Sequence, residues 1–335
     1  MKEFLQSIVA EVKEIFDHNI ETTKAYVVPT RDDAGLTFGK DQVKRGKLIE
    51  TCVLFIDIRN STLISRNLKK DKAKLGKLYS AFIHAMVIIA DRYGYVRNII
   101  GDRVMVVFEP NGCFTNAVEC AATMYTTAYA ILKKFSGIET FKVGIGVEYG
   151  EMLVLKSGIA KQHEEQSEYK NLVWVGDAAN IASKLTDLAN KEYSSPLFTI
   201  TYEYIDTIKA LNPNPVYKDF IEKYLAIPQY TTTYEKRTTS TVLTGQDYLT
   251  KLSWDSEGCK YEGKKVVNIK KEERSGTASP VLMSGKVYKE FKAANPKSAL
   301  LAFLNERSYP GQPYTGTGMY GGNPNWREEV KGIKF

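Results

Sequence analysis

Asp57 closes the apolar run Val53, Leu54, Phe55, Ile56, and Ile58, Arg59, Asn60, Ser61 and Thr62 follow it directly. A run of that composition reads as a strand buried on both faces. An unpaired carboxylate at its end costs several kcal/mol, roughly 2 to 7 even for an ordinary polar group. Asp57 therefore needs a counter-charge, and the candidates are an arginine, a lysine or a metal ion. A second acid, Asp102, follows Gly101 in a two-residue Gly-Asp link between YVRNII and RVMVVFE, the pattern of a tight hairpin. On its own Asp102 is an ordinary turn residue. Two carboxylates brought to one place repel unless a cation sits between them, and an oxygen-only donor set suits magnesium or manganese.

Two further stretches carry chemistry. The strand ending in DIRNST opens a helix, so its successive backbone N–H groups and positive helix end offer a cradle for phosphate oxygens. A cation beside a phosphate cradle points to a nucleoside triphosphate. Downstream, NLVWVGDAANIASKL sets a Gly-Asp turn ahead of a helix in which Asn180 and Lys184 share a face. An amide and a cation on one helical face suit a ribose and a phosphate, although most such pairs are simply solvated surface.

The elements that must position these residues come in a readable order. LIETCVLFIDI is a strand. Asn60 or Ser61 caps a helical region whose later part puts Leu75, Leu78, Phe82, Ala85 and Ile89 on one stripe and stops at Gly94. YVRNII and RVMVVFE form the hairpin, CFTNAVECAATMYTTAYAILKKF a second long helix, and FKVGIGVEYG a further strand. The result is an α+β, ferredoxin-like βαββαβ arrangement, with the first strand beside the middle hairpin and Asp57 close to Asp102.

Around this core the sequence predicts an N-terminal amphipathic helix and linker over 1–46, a catalytic domain over 47–210, and a C-terminal extension over 211–335. Phe4, Leu5, Ile8, Val9, Val12, Ile15 and Phe16 fall on one face of the first helix, which must dock on its own domain or on a second subunit. With 335 residues, 43% of them apolar, the chain can build a substantial core, and its net charge of +7 is mild enough to be scattered surface lysine. Cys52, Cys113, Cys120 and Cys259 lack metal-ligand spacing and read as reduced thiols. The amino terminus has no apolar signal region, and no run approaches a membrane span. A cytoplasmic protein without nucleic-acid or membrane partners is expected. GIGVEYG lies inside a strand and is no dinucleotide loop, GTGMYGG reads as a flexible loop, the lysines of KYEGKKVVNIKKEER as a solvated face, and His18, His84 and His163 lack partner spacing.

FIDIRNST, NIIGDRVMVVF, FKVGIGVEYGE and VWVGDAANIASKL, in that order, resemble the catalytic domain of class III nucleotidyl cyclases over roughly Leu48 to Leu188. The resemblance implies two divalent ions per active site, magnesium or manganese, held at Asp57, Ile58 and Asp102. One ion activates the ribose 3'-hydroxyl and the other grips the triphosphate. Ile58, Arg59, Asn60, Ser61 and Thr62 are implied in substrate binding. It also implies a head-to-tail homodimer in which the metal acids of one subunit face Asn180 and Lys184 of the other. The family has arginine where this chain has Lys184, which keeps the charge without the planar fork, so either the enzyme is slower or Arg59, Arg97 or Arg103 contributes from elsewhere.

In the purine cyclases of this family, the residue four before the second metal aspartate reads the base, as lysine for adenine or glutamate for guanine. Here it is Asn98, and the partner position is Val173. Neither purine code is present, and an asparagine amide serves the edge of uracil or cytosine equally well. Together with the segment ending PTRDDAGLTF, this is similar to the pyrimidine cyclases of bacterial Pycsar anti-phage systems. Those enzymes make cyclic UMP or cyclic CMP as a signal to a separate effector, and UTP is the expected substrate ahead of CTP. The rivals are an adenylate cyclase making cyclic AMP, a non-catalytic nucleotide-binding module that has kept the fold, and a polymerase-like palm.

Overall fold

The computed structural model describes residues 1–37, 43–158, 160–161, 164–165, 171–205, 236–310 and 312–326. They form two compact units, one of Met1–Lys191 with Thr277–Phe335, the other Glu192–Gly276.

The larger unit begins with helix α1 (Lys2–Asp17) and strand β1 (Ile20–Lys24), then β2 (Lys44–Ile58), α2 (Ser61–Asn67), α3 (Lys72–Tyr93), β3 (Tyr95–Ile100) and β4 (Arg103–Val107). Helix α4 (Cys113–Thr126) runs through a π-helical turn (Thr127–Leu132) into α5 (Lys133–Ser136). Then come β5 (Val143–Ser157), the short pair β6 (Ala160–Lys161) and β7 (Glu164–Glu165), β8 (Asn171–Val175) and α6 (Asp177–Leu188). The expected βαββαβ order is present. β2 pairs antiparallel with both β4 and β5, so the first strand lies beside the hairpin.

Alternation along β2 separates two cores. Cys52, Leu54, Ile56 and Ile58 pack with Leu78, Phe82 and Met86 of α3 and with α4 on one face. Ile49 and Val53 meet Met105, Val107, Met152 and the alanines Ala178, Ala179 and Ala182 of α6 on the other. Asp57, in phase with Val53, faces the α6 side. The break between α2 and α3 is fixed by Asp71, whose side chain accepts from the Lys74 N–H at 2.8 Å. By length and composition α3 would also qualify to cross a membrane, but its apolar stripe is spent on this sheet.

The boundary expected at 210/211 lies outside the described residues. From Glu192 onward the chain does two different things. Glu192–Gly276 is built on a sheet of its own, ordered β10 (Lys236–Thr244), β9 (Glu192–Ile205), β13 (Lys264–Thr277), β12 (Gly258–Tyr261) and β11 (Leu252–Asp255), around Ile200, Leu243 and Tyr261. The lysines of β13 are exposed, as anticipated. The last segment instead completes the main sheet. β14 (Val281–Ser284) lies parallel to β5, followed by a helix over Gly285–Ala294, β15 (Leu304–Arg307) and β16 (Met319–Gly322), to give the order β15-β16-β14-β5-β2-β4-β3 with β1 on β2 and β8 on β5. GTGMYGG, expected as a flexible loop, is a loop only over 316–318, and the rest is strand. Met319, Gly321 and Gly322 are buried in β16, where a Cβ at Gly322 would strike the Phe303 carbonyl at 1.6 Å, so glycine is what lets the edge close.

Glu148 of β5 ties this segment down. It is 4% exposed, and its Oε1 accepts from the Ser284 hydroxyl at 2.5 Å and the Tyr149 N–H at 2.9 Å. Its Oε2 is buried without a hydrogen-bond partner among the described residues. Burial pushes its pKa up, against the smaller opposing effect of those hydrogen bonds. At the other end of the chain, α1 leaves Phe4, Leu5, Ile8, Val9, Val12, Ile15 and Phe16 exposed, so docking on its own domain does not occur among the described residues. All four cysteines are buried free thiols.

Candidate active site

Gly101 takes φ 62, a left-handed turn that lets Ile100 pair with Arg103 and leaves Asp102 at the hairpin tip. The Asp102 carboxylate accepts from the Ile58 N–H at 3.2 Å and lies close enough to Asp57 for the two carboxyls to interact. The two acids do converge. Burial first, and then the Asp57 carboxyl beside it, push the pKa of Asp102 up to about 6.

Of the three candidate counter-charges, the chain supplies an arginine. Arg103 donates from Nη2 to Asp57 Oδ2 at 2.7 Å and from Nε to the same oxygen at 3.3 Å. The guanidinium then reaches α6, with Nη2 2.5 Å from Asp187 Oδ1 and Nη1 3.0 Å from the Ser183 hydroxyl. Arg59 stands behind it. Its Nη1 donates to the Asp187 carbonyl at 3.2 Å, and its Nη2 lies 3.9 Å from Asp57 Oδ2. Arg59 Nε and Nη2 are buried without hydrogen-bond partners among the described residues, and burial lowers its pKa.

The donor set fits a hard divalent ion. Two interacting carboxylates, one of them with a raised pKa, are a pair whose repulsion a divalent cation relieves. No group of three or more His, Cys, Asp or Glu gathers anywhere among the described residues. An ion here would complete its shell with water and phosphate oxygens, as magnesium usually does. His18 and His84 take no part, and His163 lies outside the described residues.

The phosphate cradle is smaller than expected. The Ile58 N–H is spent on Asp102, and the Arg59 N–H donates to the Lys142 carbonyl at 2.9 Å because β2 is still paired with β5 there. Asn60 then turns left-handed (φ 56) and caps α2 without a side-chain hydrogen bond. The unspent first-turn amides of a helix remain at Ser61 and Thr62, beside Asn60.

Helix α6 lies against the same end of the sheet because β5 carries glycine beneath it. A Cβ at Gly146 would sit 2.3 Å from the Ala182 carbonyl, and one at Gly144 would sit 2.7 Å from Arg59 Nε. Thr186 locks the contact, donating to the carbonyls of Ala182 at 2.8 Å and Phe55 at 3.1 Å. Asn180 and Lys184 are exposed on the outer side, while Ser183 and Asp187, one stripe over, turn to Arg103.

Asn98 reaches the acids' face through a β-bulge. Val96 pairs with Val106 but Asn98 with Met105, so Arg97 is the extra residue. Met105 belongs to the α6-side core, and Asn98, directly opposite, shares its face. Arg97 stacks over Tyr95 at 4.7 Å, away from the acid pair. Val173 is exposed on β8, with β4, β2 and β5 between it and β3, so one chain does not set Asn98 and Val173 side by side in the sheet. Sequence reasoning missed Ser183 and Asp187, although their spacing one turn apart beside Lys184 was a signal, and it missed the packing role of Gly144 and Gly146.

Residues 43–193 match the family described as Adenylate and Guanylate cyclase catalytic domain. A protein of Gulbenkiania mobilis named uridylate cyclase is 32% identical over 247 residues, 70% of this chain and 82% of that one. A uridylate cyclase of Burkholderia cepacia is 31% identical over 54% of this chain and 76% of its own. A cytidylate cyclase of Staphylococcus aureus is 29% identical over 43% of this chain and 34% of its own length.

Proposed function

The chain belongs to the class III nucleotide cyclases, and on that premise we propose that it cyclises a pyrimidine nucleoside triphosphate, UTP ahead of CTP, at two sites of a head-to-tail homodimer. The single observation that carries the enzymatic reading is the convergence of Asp57 and Asp102 at the end of β2. The pyrimidine reading is supported by Asn98 on the acids' face and by relatives named for uridylate, with one named for cytidylate.

In the reaction the ribose 3'-oxygen forms a bond to the α-phosphorus, the α–β bridging P–O bond breaks, pyrophosphate leaves and the 3'-hydroxyl proton passes to solvent. Two magnesium or manganese ions held by Asp57 and Asp102, with Ile58 beside them, would supply positive charge at the attacking and leaving oxygens. The chain's own groups do the rest. Asn60, Ser61 and Thr62 bind phosphate oxygens, Asn98 reads the base edge, and Val173, Asn180 and Lys184 come from a second copy, where Val173 lines the base pocket and Asn180 and Lys184 orient the ribose and carry charge to the phosphorus. The cyclic nucleotide is read by a separate effector as an anti-phage signal, a role that rests on the family resemblance.

The test incubates purified protein with each of the four nucleoside triphosphates and Mn²⁺, with Asp102→Asn as the control, and resolves products by chromatography. Cyclic UMP as the main product, lost in the variant, is expected. Cyclic AMP as the main product refutes the pyrimidine reading, and binding without any product refutes catalysis.

A further inference from the structure

We propose that Arg103 is a positioning residue shared by both active sites of the dimer: it braces the metal-binding Asp57 of its own chain to helix α6, which serves the neighbouring site. This rests on the dimeric cyclase reading above.

The geometry is that of a guanidinium fork with all its arms in use. Two arms meet Asp57 Oδ2 on β2, and the outer nitrogens meet Asp187 and Ser183 on α6. Arg103 itself follows Asp102 at the start of β4, so one side chain links both acids' strands to the helix. Ser183 immediately precedes Lys184, and Asp187 lies on the next turn, so the brace grips the turn of α6 that presents Lys184. The chain departs from its family there, since lysine has no planar fork with which to fix its own position. The fork one residue away orients the helix instead. Charge supports the arrangement: Arg103 stands between two carboxylates, Asp57 and Asp187, and neutralises repulsion between strand and helix.

The experiment mixes Asp102→Ala subunits with Lys184→Ala subunits. The surviving hybrid site takes its metal acids from the Lys184→Ala chain and its α6 from the Asp102→Ala chain. Arg103→Ala is then added to one chain at a time. A fall of about tenfold or more in either placement is expected. A fall only in the Lys184→Ala chain would confine Arg103 to Asp57, and no fall in either would leave it without a role; both overturn the shared brace. No recovery in the parent mixture overturns the dimer reading itself. Ser183→Ala removes only the helix-side contact and should act only in the Asp102→Ala chain, which keeps the test sharp if Arg103→Ala folds poorly. A second readout needs neither metal nor nucleotide. Hydrogen exchange across 183–188 should quicken about tenfold in Arg103→Ala and stay fast in Arg103→Lys, with α3 unchanged. Unchanged exchange in α6, or full rescue by lysine, overturns the forked brace.

Discussion

Gly146→Ala adds one methyl group, and the structure says where it goes. The new Cβ would lie 2.3 Å from the Ala182 carbonyl oxygen, 2.5 Å from the Thr186 nitrogen and 2.7 Å from the Thr186 hydroxyl. Ordinary contact begins near 3.4 Å, so α6 must retreat by roughly 1 Å or β5 must buckle. Gly146 does not have positive φ, so the cost is steric and not conformational. Overpacking of this kind costs about 1–3 kcal/mol, and a retreating helix also loses the Thr186 bond to the Phe55 carbonyl, worth about 1 kcal/mol. A total near 3 kcal/mol lowers Tm by roughly 6–12 °C. Displacing Ser183, Lys184 and Asp187 by that distance costs on the order of a hundredfold in kcat. Gly150→Ala is the matched comparison on the same strand, since its Cβ would be 3.3 Å from the Ala178 methyl and meet no backbone. Scanning calorimetry and steady-state kinetics on the two variants decide the matter. If Gly146→Ala melts within 2 °C of Gly150→Ala and turns over as fast, direct seating of α6 on glycine is not what positions the site.

Glu148→Gln tests the buried carboxyl. Burial raises the folded-state pKa of Glu148 above its unfolded value near 4.3, so the folded chain holds a proton that the unfolded chain has lost. The stability this contributes is complete below about pH 4.3 and is lost as pH rises through the folded value. Glutamine keeps the acceptor for Ser284 and Tyr149 without the titration, so its Tm advantage should grow as pH rises above about 4.3; a difference independent of pH refutes the assignment. Ending the chain at Gly276 should abolish cooperative melting. It removes Val281, Met283, Val287, Phe291, Leu300 and Leu304 from the main core, and at about 1.5–3 kcal/mol each the loss is comparable to or larger than the ~5–15 kcal/mol that hold a domain together. A truncated protein that still melts cooperatively by circular dichroism would show the segment to be an accessory.

What was legible from sequence follows from how local each signal is. The strand-turn-strand link at Gly101 and Asp102 is written in adjacent residues, and the order of elements then placed Asp57 beside Asp102 without any knowledge of packing. Side-chain reach is not local. Nothing near Arg103 in the chain announces that its fork spans from β2 to α6, because that depends on how closely the helix approaches, and the approach depends on Gly144 and Gly146. The same glycines looked like a failed dinucleotide loop precisely because their work is to be absent. The tail misled for a related reason: GTGMYGG has a loop's composition, and only the neighbouring β14, which is itself recruited by β5, turns its later part into a strand. The bulge at Arg97 is likewise invisible to period counting, yet it moves Asn98 from the α3 face to the face of the acids.

The charges at the end of β2 constrain what the site is able to hold. Asp57, Asp102 and Asp187 against Arg59 and Arg103 sum to −1 when all are ionised. That is too little to retain two divalent ions alone, since ions so placed would carry the site to +3 with no further ligand among the described acids. A nucleoside triphosphate brings about four negative charges and returns the sum to −1. In the proposed dimer Lys184 of a second copy would bring it to zero. On the proposed mechanism metal binding should be weak until the triphosphate arrives, and the sum would be neutral only with the lysine of the opposing helix. A lysine there, rather than a neutral residue, is what this balance requires, and the fork that lysine lacks is present one residue away, on Arg103 through Ser183.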